Sequence, residues 1–208
     1  MTAPPSEPAW LDELVTETVP LPGGDLELLQ PRESAELPDE CQVEWAPMVP
    51  YWSVLWRSGL ALARELSSRP LDGLSVVELG CGLGVPSLVA RRAGASVLAT
   101  DAWPEALELL AENAGRNGLE IETAEVDWAT PDKLVARGPF DLVLAADVLY
   151  ERQSVAKLLG LLPRLAPEAI VADPGRPAAD AFLAEARRRW RIETHTRGVV
   201  RIHALAFG

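Results

Sequence analysis

A glycine-rich segment near residue 80 is the first place where residue types and spacing suggest a ligand site. It directly follows the short apolar run Ser75–Leu79. A glycine turn between a strand and a helix lets a ligand approach the backbone and meet the amide groups of the helix. The residues of this loop that we expect to contact the ligand are Glu78, Gly80, Cys81, Gly82 and Gly84.

The spacing of the glycines decides which ligand this loop suits. A dinucleotide site needs G-x-G-x-x-G, but counting from Gly80 gives Gly82 and then Val85. A dehydrogenase interpretation therefore fails on spacing. The pattern present, E-x-G-x-G-x-G, resembles motif I of class I methyltransferases, whose ligand S-adenosylmethionine places its methionine moiety across the loop.

Acidic residues after the next two predicted strands support the same ligand. Asp101 follows Gly80 by 21 residues, close to the spacing of about 20 at which a carboxylate reaches ribose hydroxyls. Asp101 could also cap the helix that begins at Pro104. Asp127 and Trp128 stand where the methyltransferase pattern has an acid or amide for the adenine amino group, and an indole can lie against a purine. We also expect Ala102 to contact the cofactor.

The fourth predicted strand ends in Asp147-Val148-Leu149-Tyr150, which could form the catalytic part of the site. Methyl transfer from a sulfonium needs a neutral nucleophile, whereas a lysine amine has a pKa of about 10.4 and is protonated at neutral pH. The Asp147 carboxylate could accept N–H bonds from an incoming amine, and the Tyr150 phenol could pack on the acceptor. The structural alternatives are a helix N-cap for Asp147 and a core aromatic for Tyr150.

The D-V-L-Y segment resembles the D-x-x-Y motif of the seven-β-strand protein-lysine methyltransferases grouped as methyltransferase family 16. Residues 50–63 (PYWSVLWRSGLALA) resemble the helix that precedes motif I in that family. Asp173-Pro174-Gly175-Arg176-Pro177 most resembles the subfamily that methylates a lysine of the electron-transfer flavoprotein β subunit. Arg57 departs from the pattern, since the family usually has proline after the tryptophan.

The resemblance implies that the chain uses S-adenosylmethionine, with S-adenosylhomocysteine as product, to methylate a lysine of a protein substrate. It implies substrate or catalytic roles for Asp147 and Tyr150. The cofactor contacts that it implies are Trp56, Gly80, Gly82, Asp101, Trp128 and Ala146. Two other functions stay open: methylation of a small-molecule amine or hydroxyl, and an inactive cofactor-binding module that serves for interaction.

Three further residues are candidates for binding the substrate. Tyr51 and Trp52 could form an aromatic wall around the acceptor cation, or could simply belong to the core. Arg176 could bind a carboxylate of the substrate or contact Asp147, or could stand in a plain surface turn. His195 and His203 lie on late strands, and we assign them no functional role.

Charge and composition restrict the partners. Residues 1–50 carry eleven acidic residues against one basic residue, Arg32, whereas the remainder is nearly neutral. Such an acidic arm repels phosphate backbones, which disfavours nucleic acid and would suit a lysine-bearing acceptor; a merely solvated arm is the alternative. No apolar run approaches the roughly 20 residues of a membrane span, and the N-terminus lacks signal-peptide features. Cys41 and Cys81 suggest reduced thiols in a cytoplasmic protein, and no metal site is expected.

The order of the predicted elements defines the fold class. From residue 50 onwards, apolar strands alternate with amphipathic helices, which predicts an α/β, Rossmann-like, doubly wound sheet, mostly parallel with an antiparallel C-terminal strand pair. We expect an acidic, partly irregular extension over residues 1–49 and a methyltransferase domain over residues 50–208. The predicted helices are Ser53–Ser67, Pro86–Arg92, Pro104–Arg116, Ser154–Leu165 and Ala178–Trp190. The predicted strands are Leu26–Leu29, Ser75–Leu79, Ser96–Thr100, Ile121–Val126, Phe140–Ala146, Ala169–Ala172, Arg191–Thr196 and Ile202–Phe207.

Overall fold

The computed structural model describes residues 13–35 and 50–207. A single-turn 3₁₀ helix over Tyr51–Ser53 precedes the main domain. The strands are β1 (Leu14–Val19), β2 (Leu26–Pro31), β3 (Ser75–Leu79), β4 (Ser96–Asp101), β5 (Glu122–Glu125), β6 (Leu142–Ala146), β7 (Glu168–Asp173), β8 (Trp190–Arg197) and β9 (Val200–Phe207). The helices are α1 (Arg32–Ala35), α2 (Arg57–Leu66), α3 (Val85–Arg92), α4 (Pro104–Arg116), α5 (Asp132–Val135), α6 (Arg152–Leu165) and α7 (Pro177–Ala186).

Seven strands form the main sheet in the order β5-β4-β3-β6-β7-β9-β8. The pairs among the first five are parallel, while β9 pairs antiparallel with both β7 and β8. The central strands β3 and β6 are almost wholly buried because helices cover both faces, as is typical of parallel strands. The predicted fold class and the antiparallel C-terminal pair are confirmed.

The two faces of the sheet carry separate hydrophobic layers. Helices α2, α3 and α4 pack on one face around Leu62, Leu88 and Leu110. Helices α5, α6 and α7 pack on the other, where Leu158 and Phe182 are fully buried. The chain order strand-helix-strand thus brings every loop that follows a parallel strand to the same edge of the sheet.

The N-terminal region contains more structure than the sequence predicted. The predicted strand Leu26–Leu29 lies within β2, but no strand was predicted before it, and β1 pairs antiparallel with β2. The hairpin packs on α4, where the Asn113 amide accepts the Leu29 N–H at 2.6 Å and donates to the Leu29 carbonyl at 3.1 Å. Residues 36–49, predicted to be irregular, lie outside the described residues, and the boundary predicted after residue 49 stays a prediction.

Several predicted element boundaries were wrong by a few residues. Helix α2 begins at Arg57 rather than at residue 53, because Val54 to Trp56 are extended after the 3₁₀ turn. Helix α7 ends at Ala186, and Trp190, expected to close the helix, opens β8 instead. There its buried indole packs edge-to-face on Phe207, with ring centroids 6.4 Å apart. The short helix α5 was not predicted.

The two histidines that received no functional role lie on the C-terminal strands. The buried ring of His203 lies 2.9 Å, Nδ1 to Oγ1, from Thr194, and burial lowers the pKa of His203 to about 4, so it is neutral at neutral pH. His195 Nε2 lies 3.1 Å from Glu65 on α2. Within residues 13–35 and 50–207, no helix is long and apolar enough to cross a membrane.

Candidate active site

A cavity of about 1020 Å³ opens at the edge where the parallel strands end. Its walls come from the 3₁₀ turn, from the start of α2 and from the loops after β3, β4, β5, β6 and β7. All sixteen residues that the sequence predicted for the site line this cavity: Tyr51, Trp52, Trp56, Glu78, Gly80, Cys81, Gly82, Gly84, Asp101, Ala102, Asp127, Trp128, Ala146, Asp147, Tyr150 and Arg176. The fold thus brings these residues together in one cavity, and the role of each stays a prediction.

The glycine loop after β3 has a backbone that other residues adopt only with strain. Gly82 has φ +49°, and a Cβ added there would lie 2.8 Å from the carbonyl oxygen of Trp52. The Gly82 N–H donates to Asp101 Oδ2 at 2.9 Å, so the end of β4 holds the loop. The loop thus leaves room in the cavity for a ligand to approach its backbone.

Asp101 combines a turn-forming role with a position on the cavity wall. Its Oδ1 accepts the N–H of Trp103, the N-cap residue of α4, at 3.1 Å, and that helix has no side-chain cap of its own. Burial raises the pKa of the Asp101 carboxyl, and the backbone N–H bonds oppose that rise. The residue therefore positions the loop, and its carboxylate oxygens remain at the cavity surface.

Glu78 is fully buried beneath the glycine loop. Its Oε2 accepts the backbone N–H of Ser87 at 2.9 Å and also the Ser87 hydroxyl, which satisfies a free N–H in the first turn of α3. Burial raises the pKa of Glu78 to about 8. The carboxyl group therefore joins β3 to α3 as well as lining the cavity.

The buried Glu78 carboxyl should make the stability of the cofactor-free protein depend on pH. Because its pKa is near 8 in the folded state and about 4.3 in the unfolded state, its stabilisation is complete below the unfolded value and is lost as the pH rises towards and through 8. We expect the free energy of unfolding to fall between about pH 6.5 and pH 8, by up to about 1.4 kcal/mol per pH unit. Below about pH 6.5 the fall is offset, because the pKa of His203 is lowered to about 4 in the folded state and its contribution to stability rises with pH there. Urea unfolding across this range measures it.

Glu78→Gln is the variant that isolates this contribution. The amide keeps an acceptor for Ser87 and cannot ionise, so the fall in stability between about pH 6.5 and pH 8 should become shallower. What remains comes from other buried groups, among them Asp101 and Asp147, whose pKa values burial also raises. A glutamine variant with the same slope as the wild-type protein would show that Glu78 does not titrate in this range.

The cavity end near β4 and β5 is aromatic. Trp128 is half-buried there, and Asp127 is exposed, its Oδ1 accepting the Ala129 N–H at 2.7 Å. Trp103 lies on the same wall and is 58% exposed, although it was not among the predicted residues. Its position two residues after Asp101 was the signal that could have identified it. Two indoles are therefore available to a planar ligand.

Asp147 occupies the opposite end and is strained. It is buried with φ +58°, the left-handed region, and within the described ranges no other non-glycine residue has a positive φ. Its Oδ2 accepts the hydroxyl of Ser58 on α2 at 3.0 Å. Its Oδ1 accepts the Nε–H of Arg176 at 2.8 Å, and Nη2 of the same guanidinium lies 2.8 Å from that oxygen in the ion pair. The sequence did not predict Ser58 as part of the site. Contact with Asp147 was one of two functions considered for Arg176, and the structure shows that contact.

The environment of Asp147 favours its protonated form more than water does. Burial raises the pKa of the Asp147 carboxyl, while the Arg176 guanidinium and the Ser58 hydroxyl oppose the rise and the charge of Asp173 adds to it. The Asp147 carboxyl group can accept a further N–H bond, since one of its oxygens is bound by Arg176 and the other by the single hydroxyl of Ser58.

Aromatic rings form the mouth of the cavity beside Asp147. Tyr51 stacks on Tyr150 with centroids 6.2 Å apart and on Trp56 with centroids 6.4 Å apart. The Trp56 indole donates to the Tyr51 carbonyl at 2.9 Å, and the Arg176 guanidinium lies 5.9 Å from the Trp56 ring centroid. Trp52 is buried instead, so Tyr51 rather than Trp52 faces the opening.

The Tyr150 ring is accessible and its hydroxyl stays protonated. Partial burial raises the pKa of Tyr150, and the negative charges of Glu151 and Asp101 add to this rise. The phenol can therefore pack on an acceptor or share a hydrogen bond with it, but it cannot act as a phenolate base at neutral pH.

The Tyr51 wall is connected to the N-terminal hairpin. Ser34 on α1 shares a hydrogen bond of 2.6 Å with Ser53, and the Ser53 hydroxyl lies 2.8 Å from the carbonyl of Pro50. The 3₁₀ turn that carries Tyr51 is therefore held by α1, the short helix that follows the hairpin.

The fold and the position of the cavity define the class of protein. The 16S rRNA N2 G1207 methyltransferase RsmC of T. thermophilus, solved with AdoMet and guanosine, matches with a TM-score of 0.67 and 16% identity, over 94% of this chain and 51% of that chain. At this identity the likeness shows the fold alone, that of the Rossmann-like methyltransferases, which use S-adenosylmethionine.

Sequence comparison then identifies the family. The family described as lysine methyltransferase matches residues 52–181, and the chain belongs to this family. The electron transfer flavoprotein beta subunit lysine methyltransferase of Mus musculus is 33% identical over 189 residues, which is 83% of this chain and 70% of that protein. Histone-arginine methyltransferase METTL23 of Mus musculus is 27% identical over 176 residues, 76% of this chain and 66% of that protein. The chain spans 60–70% of the length of the first four curated relatives.

The cofactor of this family is S-adenosylmethionine, and the residues of the cavity suit it. The cavity offers an open glycine-loop backbone, the Asp101 carboxylate and the indole faces of Trp103 and Trp128, which are groups that a methionine moiety, ribose hydroxyls and adenine could contact. The role of each of these residues stays a prediction. Among residues 13–35 and 50–207 there is no group of three or more His, Cys, Asp or Glu side chains that could hold a metal ion.

Proposed function

We propose that this chain is a protein-lysine N-methyltransferase dependent on S-adenosylmethionine. The observation that carries the proposal is the buried Asp147 carboxylate, which lies in the same cavity as the glycine loop and beside an aromatic mouth. When bound, S-adenosylmethionine supplies an electrophilic methyl group on a sulfonium, and its transfer to the lone pair of a neutral amine leaves S-adenosylhomocysteine. The protein must orient the amine and favour its neutral form.

Asp147 is the residue that we assign to orient the amine. Its Oδ2 accepts only the Ser58 hydroxyl among the bonds found for it, so a further lone pair is available to an amine N–H. The Ser58 and Arg176 bonds fix the plane of the carboxylate, and an N–H bond to a fixed acceptor directs the nitrogen lone pair away from it, towards the donor.

Arg176 supports loss of the amine proton. A fixed guanidinium beside the acceptor disfavours a second cation and so lowers the pKa of an incoming ammonium. Because both Nε and Nη2 are engaged by Asp147 and the guanidinium also packs on Trp56, the geometry favours this electrostatic role over binding of a substrate carboxylate.

The exposed side chains around the cavity favour a macromolecular acceptor over a small molecule. Within the described part of the chain, five large apolar side chains are exposed, and all but Phe207 line the cavity: Tyr51, Trp103, Tyr150 and Val199. Exposed apolar groups clustered at one opening are typical of an interaction site. We propose that Tyr51 and Tyr150 pack on the aliphatic stem of the acceptor lysine. We propose further that the substrate is a cytoplasmic protein and not a nucleic acid.

A labelling screen tests the function. A cell lysate is incubated with purified protein and donor labelled in its methyl group, and the labelled species are identified by mass spectrometry. We expect methylated lysine in one or a few proteins, and no label with Asp147→Asn. Methylated arginine, as the name of the METTL23 relative would suggest for that protein, or a labelled small molecule would overturn the lysine assignment.

A binding control separates inactivity from misfolding. S-adenosylhomocysteine at a hundredfold excess over its Kd should stabilise the folded protein by about 2.7 kcal/mol and raise its melting temperature, whereas a nicotinamide dinucleotide should not. Protein that binds the cofactor and yet labels nothing would favour the inactive interaction module.

A further inference from the structure

A charge cluster that includes one deeply buried carboxylate lies behind the acceptor site, and none of its members lines the cavity. It consists of Asp173 at the end of β7, Arg201 on β9 and Asp180 on α7; we call it the rear cluster. Asp173 and Arg201 are cross-strand partners in the antiparallel pair of β7 and β9. The Asp173 side chain is 1% exposed and that of Arg201 is 27% exposed. A charge so deeply buried requires strong compensation.

The Asp173 carboxylate fixes the loop that carries Arg176. Its Oδ1 accepts the backbone N–H of Gly175 at 2.6 Å and that of Arg176 at 2.9 Å. The same oxygen accepts Arg201 Nη2 at 3.1 Å. One carboxylate oxygen thus joins two loop amides to a guanidinium on a neighbouring strand.

Arg201 completes the support of the loop from below. Its Nη1 donates to Asp180 Oδ1 at 2.8 Å, which anchors it to α7. Gly175 has φ +100°, and a Cβ added there would lie 3.9 Å from both Nε and Nη2 of Arg201. The Arg201 guanidinium therefore packs beneath Gly175, the residue that immediately precedes Arg176.

The loop transmits this support to the site. Arg176 follows Gly175 and turns its side chain to Asp147 Oδ1. If Arg201 lost its charge, Asp173 would be buried without its cation, and Arg176, whose N–H it already binds, would be the nearest guanidinium along the loop. The charge of Asp173, which already raises the pKa of Asp147, would then compete for Arg176.

We propose that Arg201 is a positioning residue of the acceptor site: by pairing with Asp173 beneath Gly175, it holds Arg176 on Asp147. The effect on turnover rests on the proposed function, but the contact between Arg176 and Asp147 can be measured without any acceptor.

The test is Arg201→Gln with Arg197→Gln as a matched control. Arg197 lies on the same β8–β9 hairpin and also pairs with a largely buried carboxylate, Glu65, at 2.8 Å, but it has no bond to the loop among those found. The Nε–H signals of the arginines are recorded by ¹H–¹⁵N NMR and assigned through Arg176→Gln. We expect the Arg176 signal to lose its protection from exchange in Arg201→Gln and to stay unchanged in Arg197→Gln.

Kinetics supply the second measurement. With the acceptor found by the labelling screen, kcat should fall about tenfold to a hundredfold in Arg201→Gln, while the Kd of S-adenosylmethionine stays within about twofold. The acidic limb of the pH profile of kcat should also move to higher pH, because Asp173 would compete for Arg176 and the pKa of Asp147 would rise. A purely structural loss would lower kcat without moving that limb.

Two outcomes decide the proposal. An unchanged Arg176 signal in folded Arg201→Gln overturns it, whatever the activity. If the Arg176 signal changes in Arg201→Gln but the wild-type protein methylates no acceptor, the positioning role of Arg201 is supported and the proposed function is overturned. If Arg201→Gln fails to fold, Asp180→Asn serves, since it removes only the anchor on α7, and an Arg176 signal unchanged in that variant also counts against the proposal.

Discussion

Asp147→Asn is expected to lower methyl transfer by at least about a hundredfold, the scale of a positioned proton-accepting group, while the Kd of S-adenosylmethionine changes by less than about threefold. The amide replaces one acceptor oxygen by an N–H₂ donor. Facing Arg176 it would meet another donor, and facing Ser58 it would take the place of the oxygen that an amine N–H needs. Asparagine also tolerates the left-handed backbone at φ +58° better than alanine, so the variant isolates the carboxylate from backbone strain.

Single-turnover rates with labelled donor, together with calorimetry of cofactor binding, measure this effect. Asp132→Asn is a suitable control, because its exposed carboxylate pairs with Arg164 on the surface and lies outside the cavity lining. Full activity of Asp147→Asn with a correctly bound cofactor would show that the carboxylate does not handle the acceptor, and the catalytic assignment would then have to move to another residue.

Gly82→Ala is expected to weaken binding of S-adenosylmethionine by at least about tenfold, because left-handed backbone costs a side chain roughly 1–2 kcal/mol and the new Cβ would also meet the Trp52 carbonyl oxygen at 2.8 Å. The backbone of residue 82 fixes the position of this Cβ, and the oxygen belongs to the backbone of Trp52, so the conflict is relieved only if the loop or the 3₁₀ turn moves. Movement of the loop displaces the Gly82 N–H from Asp101, and movement of the turn displaces Tyr51 and Trp52, which line the same cavity. Calorimetric titration and thermal unfolding with and without cofactor measure the loss.

Gly118→Ala separates strain from steric conflict. Gly118 has φ +66°, but nothing lies within 4 Å of an added Cβ, and it lies outside the cavity lining. We expect that variant to lose stability and to keep its cofactor affinity. Equal cofactor affinity in Gly82→Ala and the wild-type protein would mean that the glycine loop does not bind the methionine moiety.

The donor part of the site was predictable because its signals are local. The apolar run before Glu78, the glycine spacing, and Asp101 and Trp128 after the following strands each lie at a strand end, and parallel strands end at one edge. The sheet was predictable for the same reason, since uninterrupted apolar strands of four to six residues alternate with amphipathic helices. The roles given to these residues stay predictions.

The acceptor part depends on contacts between residues far apart in the chain. Ser58 reaches Asp147 from α2, and Arg201 reaches Asp173 from β9, and no spacing in the sequence reports either pairing. Arg176 was a candidate for two partners, and only the tertiary structure shows which one it contacts. Strand β1 was missed because Leu14–Val19 has a weak alternation, with three consecutive exposed residues.

The hydrogen bond between Ser34 and Ser53 has a consequence for how such a protein can diversify. Ser34 lies outside residues 52–181, which match the family, yet it holds the turn that carries Tyr51. Substitutions of Ser34 on α1 can therefore change the position of Tyr51 at the mouth of the cavity without touching Asp101 or the glycine loop. Selection for a new acceptor can then act in part on a stretch of the chain that contains none of the residues assigned to the donor.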